Sequence, residues 1–135
     1  MRVVSIEVAK LARDHEFHAP VMMFYHEKPN KIATVALPWD DGERDVNDKN
    51  GEFYDKNCYS APEHALLEEW FRVKHDIHVL VIPIIEGYQG IVLTRKDIIS
   101  IDKGEDTYSD YFLFDWDDYY NAYDFAFKQA FIKLK

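Results

Sequence analysis

Residues 60–94 read SAPEHALLEEWFRVKHDIHVLVIPIIEGYQGIVLT, and this stretch decides the fold class. Ser60-Ala61-Pro62-Glu63 has the form of a capping box, with a hydroxyl to accept a helix-start N–H, an acid three residues on, and a proline where its missing N–H costs little. A helix is therefore expected to start here. Leu66, Leu67, Trp70, Phe71 and Val73 give it a wide apolar face, while Lys74 and His75 suit the negative end of its dipole, so it should end near His75. Ile77–Ile85 is then strand-like, Glu86 and Gly87 turn the chain, and Tyr88–Thr94 returns as a second strand. This hairpin is placed at the centre of an antiparallel sheet.

Upstream, Ser5 can cap a helix to about His15, because Val8, Leu11, Ala12 and His15 recur three or four apart while Glu7, Lys10 and Arg13 face elsewhere. Two β-prone runs follow, Val21–His26 and Lys31–Leu37, separated by the loop residues Glu27, Lys28, Pro29 and Asn30. Residues 38–57 then form a long acidic loop, seven acids against three bases. Downstream, Ile98–Ile101 and Tyr111–Phe114 are weaker strand candidates around a second acidic loop, 102–110. A final helix should begin at Asp115 or Asp117. Its Ala122, Ala126 and Ala130 form a row of small side chains that lets a sheet or a neighbour approach closely. The order α-β-β-α-β-β-(β)-α gives one α+β domain over 1–135, a sandwich of three helices on a mostly antiparallel sheet of about four to five strands.

At 135 residues the chain is one domain's worth, and 47% hydrophobic content is enough for a real core. Its formal charge of −9 disfavours direct binding to nucleic acid, since the basic residues are scattered among more numerous acids. Cys58 has no second cysteine to pair with, which suits a reducing compartment. Residues 1–15 lack an uninterrupted apolar stretch, and the longest apolar run, Val79–Ile85, contains Pro83 and falls far short of a membrane span of ~20 residues. A cytoplasmic protein without membrane contact is expected.

Three stretches share a pattern: Ser5-Ile6-Glu7-Val8-Ala9-Lys10-Leu11; Tyr59-Ser60-Ala61-Pro62 continuing through Ala65, Leu66, Trp70, Arg72, His75, Ile77 and His78; and Tyr119, Ala122, Ala126 and Ala130. In these the chain resembles a family of small uncharacterised proteins encoded by gut bacteria and their phages. The resemblance covers about half the chain and leaves the loop 38–57 unmatched. Tyr123, Phe127 and Phe131 stand where leucines accompany the alanines in that family. The resemblance implies a setting in phage or mobile-element biology, and no reaction.

Several constellations invite chemistry and fall short of it. His15 with His18, and His75 with His78, form HxxH pairs, but no thiolate pair or HExxH helix completes either as a metal site. Around Asp48, Asn50, Gly51 and Glu52, placing Gly51 sixth in a calcium loop puts Val46 first, where a carboxylate is required. Cys58 with His64 lacks a third orienting group, and the five glycines are scattered, so no phosphate loop forms. No catalytic residue, metal ligand or cofactor is assigned, and an enzyme of unrecognised type is the reading left for catalysis.

The distinctive stretch is Asp102–Asp124, with eight acids against Lys103 alone, interleaved with aromatic residues. Asp110, Asp115, Trp116, Asp117, Asp118 and Tyr119 are the candidate interaction face, acidic and aromatic, suited to a host or phage protein with a basic surface. Such a face could also mimic DNA and occupy a nucleic-acid-binding site. The opposing reading makes the aspartates dipole partners and the aromatics core. A homodimer through the alanine row is the other association the sequence allows, and in that case Ala126→Leu should weaken self-association without unfolding the monomer.

Overall fold

The computed structural model describes residues 2–27, 31–34 and 42–134. Its elements are α1 (Ile6–Asp14), β1 (Met23–His26), β2 (Lys31–Thr34), β3 (Cys58–Ser60), α2 (His64–His75), β4 (His78–Ile84), β5 (Gly87–Leu93), α3 (Arg95–Asp102), a 3-10 turn (Tyr108–Tyr111), β6 (Phe112–Trp116) and α4 (Tyr119–Ile132). The α+β class holds. In place of one sheet with three helices, the described residues form two three-stranded antiparallel sheets, β2-β1-β3 and β4-β5-β6, and four α-helices. The chain divides into two compact units, residues 1–64 and 65–135.

In the first unit Ser5 caps α1, its side chain accepting the Val8 N–H, and Val8, Ala9 and Ala12 form the buried stripe. β1 and β2 pair in the expected hairpin, from Met23↔Thr34 to His26↔Lys31. Its loop at 28–30, the expected strand residues 35–37 and the first part of the acidic loop, 38–41, lie outside the described residues.

β3 has no counterpart in the sequence-based expectation, and it overturns the Ser60 cap. Ser60 is buried in a strand opposite Phe24, Glu63 bridges to Val3, and α2 starts only at His64. The cause is Pro62: a helix capped by Ser60 needs Ala61 in helical conformation, and proline disfavours that in the residue before it. The chain stays extended instead, with the Ala61 N–H donating to Met23 O and the Val4 N–H to Pro62 O.

The Ser60 N–H points away from β1 and is met by Oδ1 of buried Asn47 at 3.0 Å, while Asn47 Nδ2 donates to Phe17 O at 2.9 Å. One amide thereby satisfies two backbone groups far apart in the chain. Asn47→Ala orphans both, so urea unfolding should show a loss of about 2–4 kcal/mol; a loss below about 0.5 kcal/mol would mean that the amide clip does not form.

The acidic loop is not merely solvated. Asp45, Asp48 and Asp55 each accept the backbone N–H two residues on, from Asn47, Asn50 and Asn57, and Arg44 lies over the Phe53 ring at 4.1 Å. These are Asx-turns, in which a short carboxylate substitutes for a backbone carbonyl.

In the second unit α2 ends at His75 as expected, stopped by Asp76 in the left-handed region (φ 53°). Both Asp76 carboxylate oxygens are held by Arg95, at 2.8 and 2.9 Å, which keeps this acid below its ordinary pKa. β4 and β5 form the expected hairpin, from His78↔Leu93 to Ile84↔Gly87, with β5 at the centre of the sheet and β4 at one edge.

Ile98–Ile101 is helical and not a strand. Thr94 caps α3 by accepting the Asp97 N–H, and the Asp97 carboxylate accepts the Thr94 N–H in return. This capping box commits the chain to a helix directly after β5. The expected strand at Tyr111–Phe114 is present, shifted to Phe112–Trp116. α4 is capped by Asp118, not by Asp115 or Asp117, because Asp115 is still paired with Gln89 in the sheet.

The alanine row is the contact between α4 and its own sheet. Ala122, Ala126 and Ala130 are fully buried, and Gly90 of β5 lies so close that a Cβ built there would sit 3.0 Å from Ala126 Cβ and 3.2 Å from Ala122 O. Beside the row, Phe127 and Phe131 pack on Phe71 of α2 at 6.0 and 4.8 Å between ring centroids. The row is therefore core, and it offers a second copy of the chain no surface.

Candidate functional site

The six residues of the acidic aromatic stretch separate into three roles. Asp110 closes the 3-10 turn, its carboxylate accepting the Thr107 N–H at 2.8 Å. It precedes β6, and at ~3.3 Å per residue that strand carries the chain roughly 16 Å away before Trp116. Asp118, half-buried, accepts the Tyr120 N–H as the cap of α4. Asp115, Trp116, Asp117 and Tyr119 remain together at the junction of β6 and α4.

At this junction the strand alternation sorts the side chains. Gly90 faces α4, so Tyr88 faces it too, and Trp116 opposite Tyr88 lies on that side with its indole 5.7 Å from the Phe125 ring. Among the described residues the buried Trp116 Nε1 meets no acceptor. Tyr119 sets its ring edge-on to Tyr88 at 5.5 Å and stays about one-third exposed. Asp115 turns to the other side, where Gln89 donates to its carboxylate.

Between Gln89 and Ile91 the β5–β6 register shifts, the irregularity that sends Phe114 outward at 75% exposure beside Phe125. Asp115 and Asp117 are exposed, and no described Lys or Arg pairs with either. β6 is an edge strand. The result is an acidic edge with aromatic shoulders.

Not all aromatics of the stretch serve that surface. Tyr123 stacks on Phe127 at 4.9 Å, and burial pushes its phenol up to about 12. Tyr111 donates to Asp106 at 2.7 Å, an interaction that holds its phenol well above the usual range. The opposing reading of core aromatics and dipole-capping aspartates thus describes Tyr123 and Asp118, and not Asp115 or Asp117.

The HxxH partners engage different neighbours. His15 Nδ1 lies 2.9 Å from Leu11 O and His18 Nδ1 lies 3.7 Å from Asp45, while His75 packs on Trp70 at 4.6 Å and His78 Nε2 lies 3.6 Å from Asp76. Cys58 is buried, and desolvation together with the Asp55 carboxylate pushes its thiol up to about 11, opposite to what a nucleophilic cysteine requires. The groups brought to its sulfur are His26 and Asp55. Neither was marked by sequence spacing around Cys58 and His64.

Among the described residues no helix is long and apolar enough to cross a membrane. Comparison with known proteins returns no matching family model, no matching curated protein and no matching solved structure.

Proposed function

We propose that the protein is a non-catalytic binding module, an accessory factor of phage or mobile-element origin acting in the cytoplasm, which takes a protein partner with a basic surface along the β6 edge. The observation that carries this reading is the pair of exposed carboxylates Asp115 and Asp117, with which no described Lys or Arg pairs, set beside exposed Phe114 and Tyr119 and half-buried Trp116 where the edge strand β6 meets α4. Carboxylates steer a basic partner and set its orientation, while aromatic area supplies affinity at low conformational cost. Acidic side chains also keep such an edge from pairing with other copies of itself.

The test is affinity capture from bacterial lysate at low and moderate salt, comparing the wild type with Asp115→Lys/Asp117→Lys. Asp118 is left in place because its loss would fray α4. Reversal should weaken retention about tenfold or more, with wild-type retention falling as salt rises. Glu52→Lys, in the other unit, should bind as the wild type does. Equal retention by the double reversal would remove the β6 edge from the proposal. A captured nucleic-acid-handling protein that duplex DNA displaces would identify the DNA-mimic form of the same surface.

A further inference from the structure

His26, Asp55 and Cys58 each present one ligand atom, and these atoms lie within 4.8 Å of one another. Two features of the first unit bring them together. His26 and Cys58 are cross-strand partners on β1 and β3. Because the next pair outward is hydrogen-bonded, with the Glu27 N–H on Asn57 O, the His26/Cys58 pair is a non-hydrogen-bonded one, where Cα atoms approach to ~4.5 Å and the side chains lie closest. Asp55 is delivered from the same side by a turn: Cys58 N donates to Asp55 O at 3.0 Å, and Asn57 N to Asp55 Oδ1 at 2.9 Å.

We propose that His26, Asp55 and Cys58 form a site for a thiolate-binding divalent cation of the zinc class, with solvent completing the coordination. One sulfur, one imidazole nitrogen and one carboxylate oxygen make a donor set that favours such borderline ions over calcium or magnesium, which select oxygen. Ideal tetrahedral bonds place donor atoms roughly 3.4–3.7 Å apart, so from separations within 4.8 Å the cluster needs to contract by no more than about 1.4 Å, within the reach of side-chain rotation at exposed Asp55. Charge balances as well, since a dication, a thiolate and a carboxylate with neutral imidazole sum to zero. On binding, the Cys58 S–H bond breaks, its proton passes to solvent and the S–metal bond forms, with no redox change. Cys58 is buried, His26 half-buried and Asp55 exposed, so the site has a closed floor and a solvent side by which the ion enters. Arg13 flanks it, donating to Cys58 O at 2.9 Å and to Lys56 O at 2.7 Å, and so fixes the backbone beneath the sulfur.

The test is titration of the reduced protein with Co²⁺ alone, then with Zn²⁺ in competition. Cys58 is the only cysteine in the chain, so a thiolate-to-cobalt charge-transfer band in the near ultraviolet can arise from no other residue. The expected result is one Co²⁺ per chain with that band, displaced by equimolar Zn²⁺. His26→Gln and Asp55→Asn should each weaken binding about tenfold or more, whereas His15→Gln/His18→Gln should leave it unchanged. Absence of the band in the wild type at saturating Co²⁺ overturns the proposal without reference to any variant. Binding with the band but unaltered by both His26→Gln and Asp55→Asn overturns the assigned ligand set.

Discussion

Ala126→Leu is expected to destabilise residues 65–135 by about 3 kcal/mol, the upper end of what overpacking a core costs. Ala126 is fully buried, and the nearest part of the sheet is the backbone of Gly90, which has no rotamer to change and no side chain to withdraw. The added atoms must displace α4 from β5 or force the leucine off its rotamers, and either course also disturbs Phe127 and Phe131 where they meet Phe71. In urea the midpoint for this unit should fall by about 1–2 M. Gly90→Ala should act in the same direction, because its methyl would meet Ala126 Cβ at 3.0 Å. Combining Gly90→Ala with Ala126→Gly should recover part of that loss, less the ~1 kcal/mol that glycine costs inside a helix. An Ala126→Leu protein as stable as the wild type, with a smaller mass in solution, would restore the alanine row as a dimer surface and refute its place in the core.

How far the alanine row could be understood beforehand is instructive. Its spacing marks a surface built for close approach, but periodicity names no partner, and the glycine that receives it lies 36 residues earlier in the chain. Signals that are local in sequence were readable: Ser5 and the stripe behind it, the stop after His75, and the hairpin from His78 to Leu93. Two capping-box patterns show where local reading fails. Ser60-Ala61-Pro62-Glu63 matches the pattern but has proline constraining Ala61, and pairing with β1 prevails. Thr94 and Asp97 form a real box, masked by the β-branched residues Ile98, Ile99 and Ile101 that follow. The D-x-N triplets at 45, 48 and 55 form Asx-turns, whereas the expectation from sequence for the whole of 38–57 is only an acidic loop. The cluster at Cys58 was not, because three residues of β3 carry no periodicity and only their pairing brings His26 across. Within the candidate edge, charge and aromatic content were plain in the sequence. Assigning Asp118 to the helix and Asp115 to the surface needed the register of β6 on β5.

Gly87→Ala is the second large effect, and it joins the fold to the proposed binding edge. Gly87 closes the two-residue loop Ile85-Glu86 with φ at +146°, while neither loop residue has positive φ, so this glycine accommodates the reversal of the chain. A Cβ at this position would lie 2.4 Å from the Trp116 carbonyl oxygen and 3.6 Å from Asp117 Cα. Backbone strain of about 1–3 kcal/mol then adds to an overlap that only movement of β6 can relieve. The expected result is a loss of about 3 kcal/mol in unfolding, with amide exchange accelerated at Tyr88 and Trp116, where β5 meets the end of β6. Ile85→Ala removes a fully exposed side chain from the same loop and should change stability by less than about 0.5 kcal/mol. Because the overlap falls on Trp116 and Asp117 themselves, Gly87→Ala should also weaken any partner held at the β6–α4 junction, although Gly87 presents no side chain to it. Full stability with unaltered exchange at Tyr88 and Trp116 would show that β6 does not lie against Gly87 in this register. Weakened binding with intact charges at Asp115 and Asp117 would separate the positioning of the edge from its electrostatics.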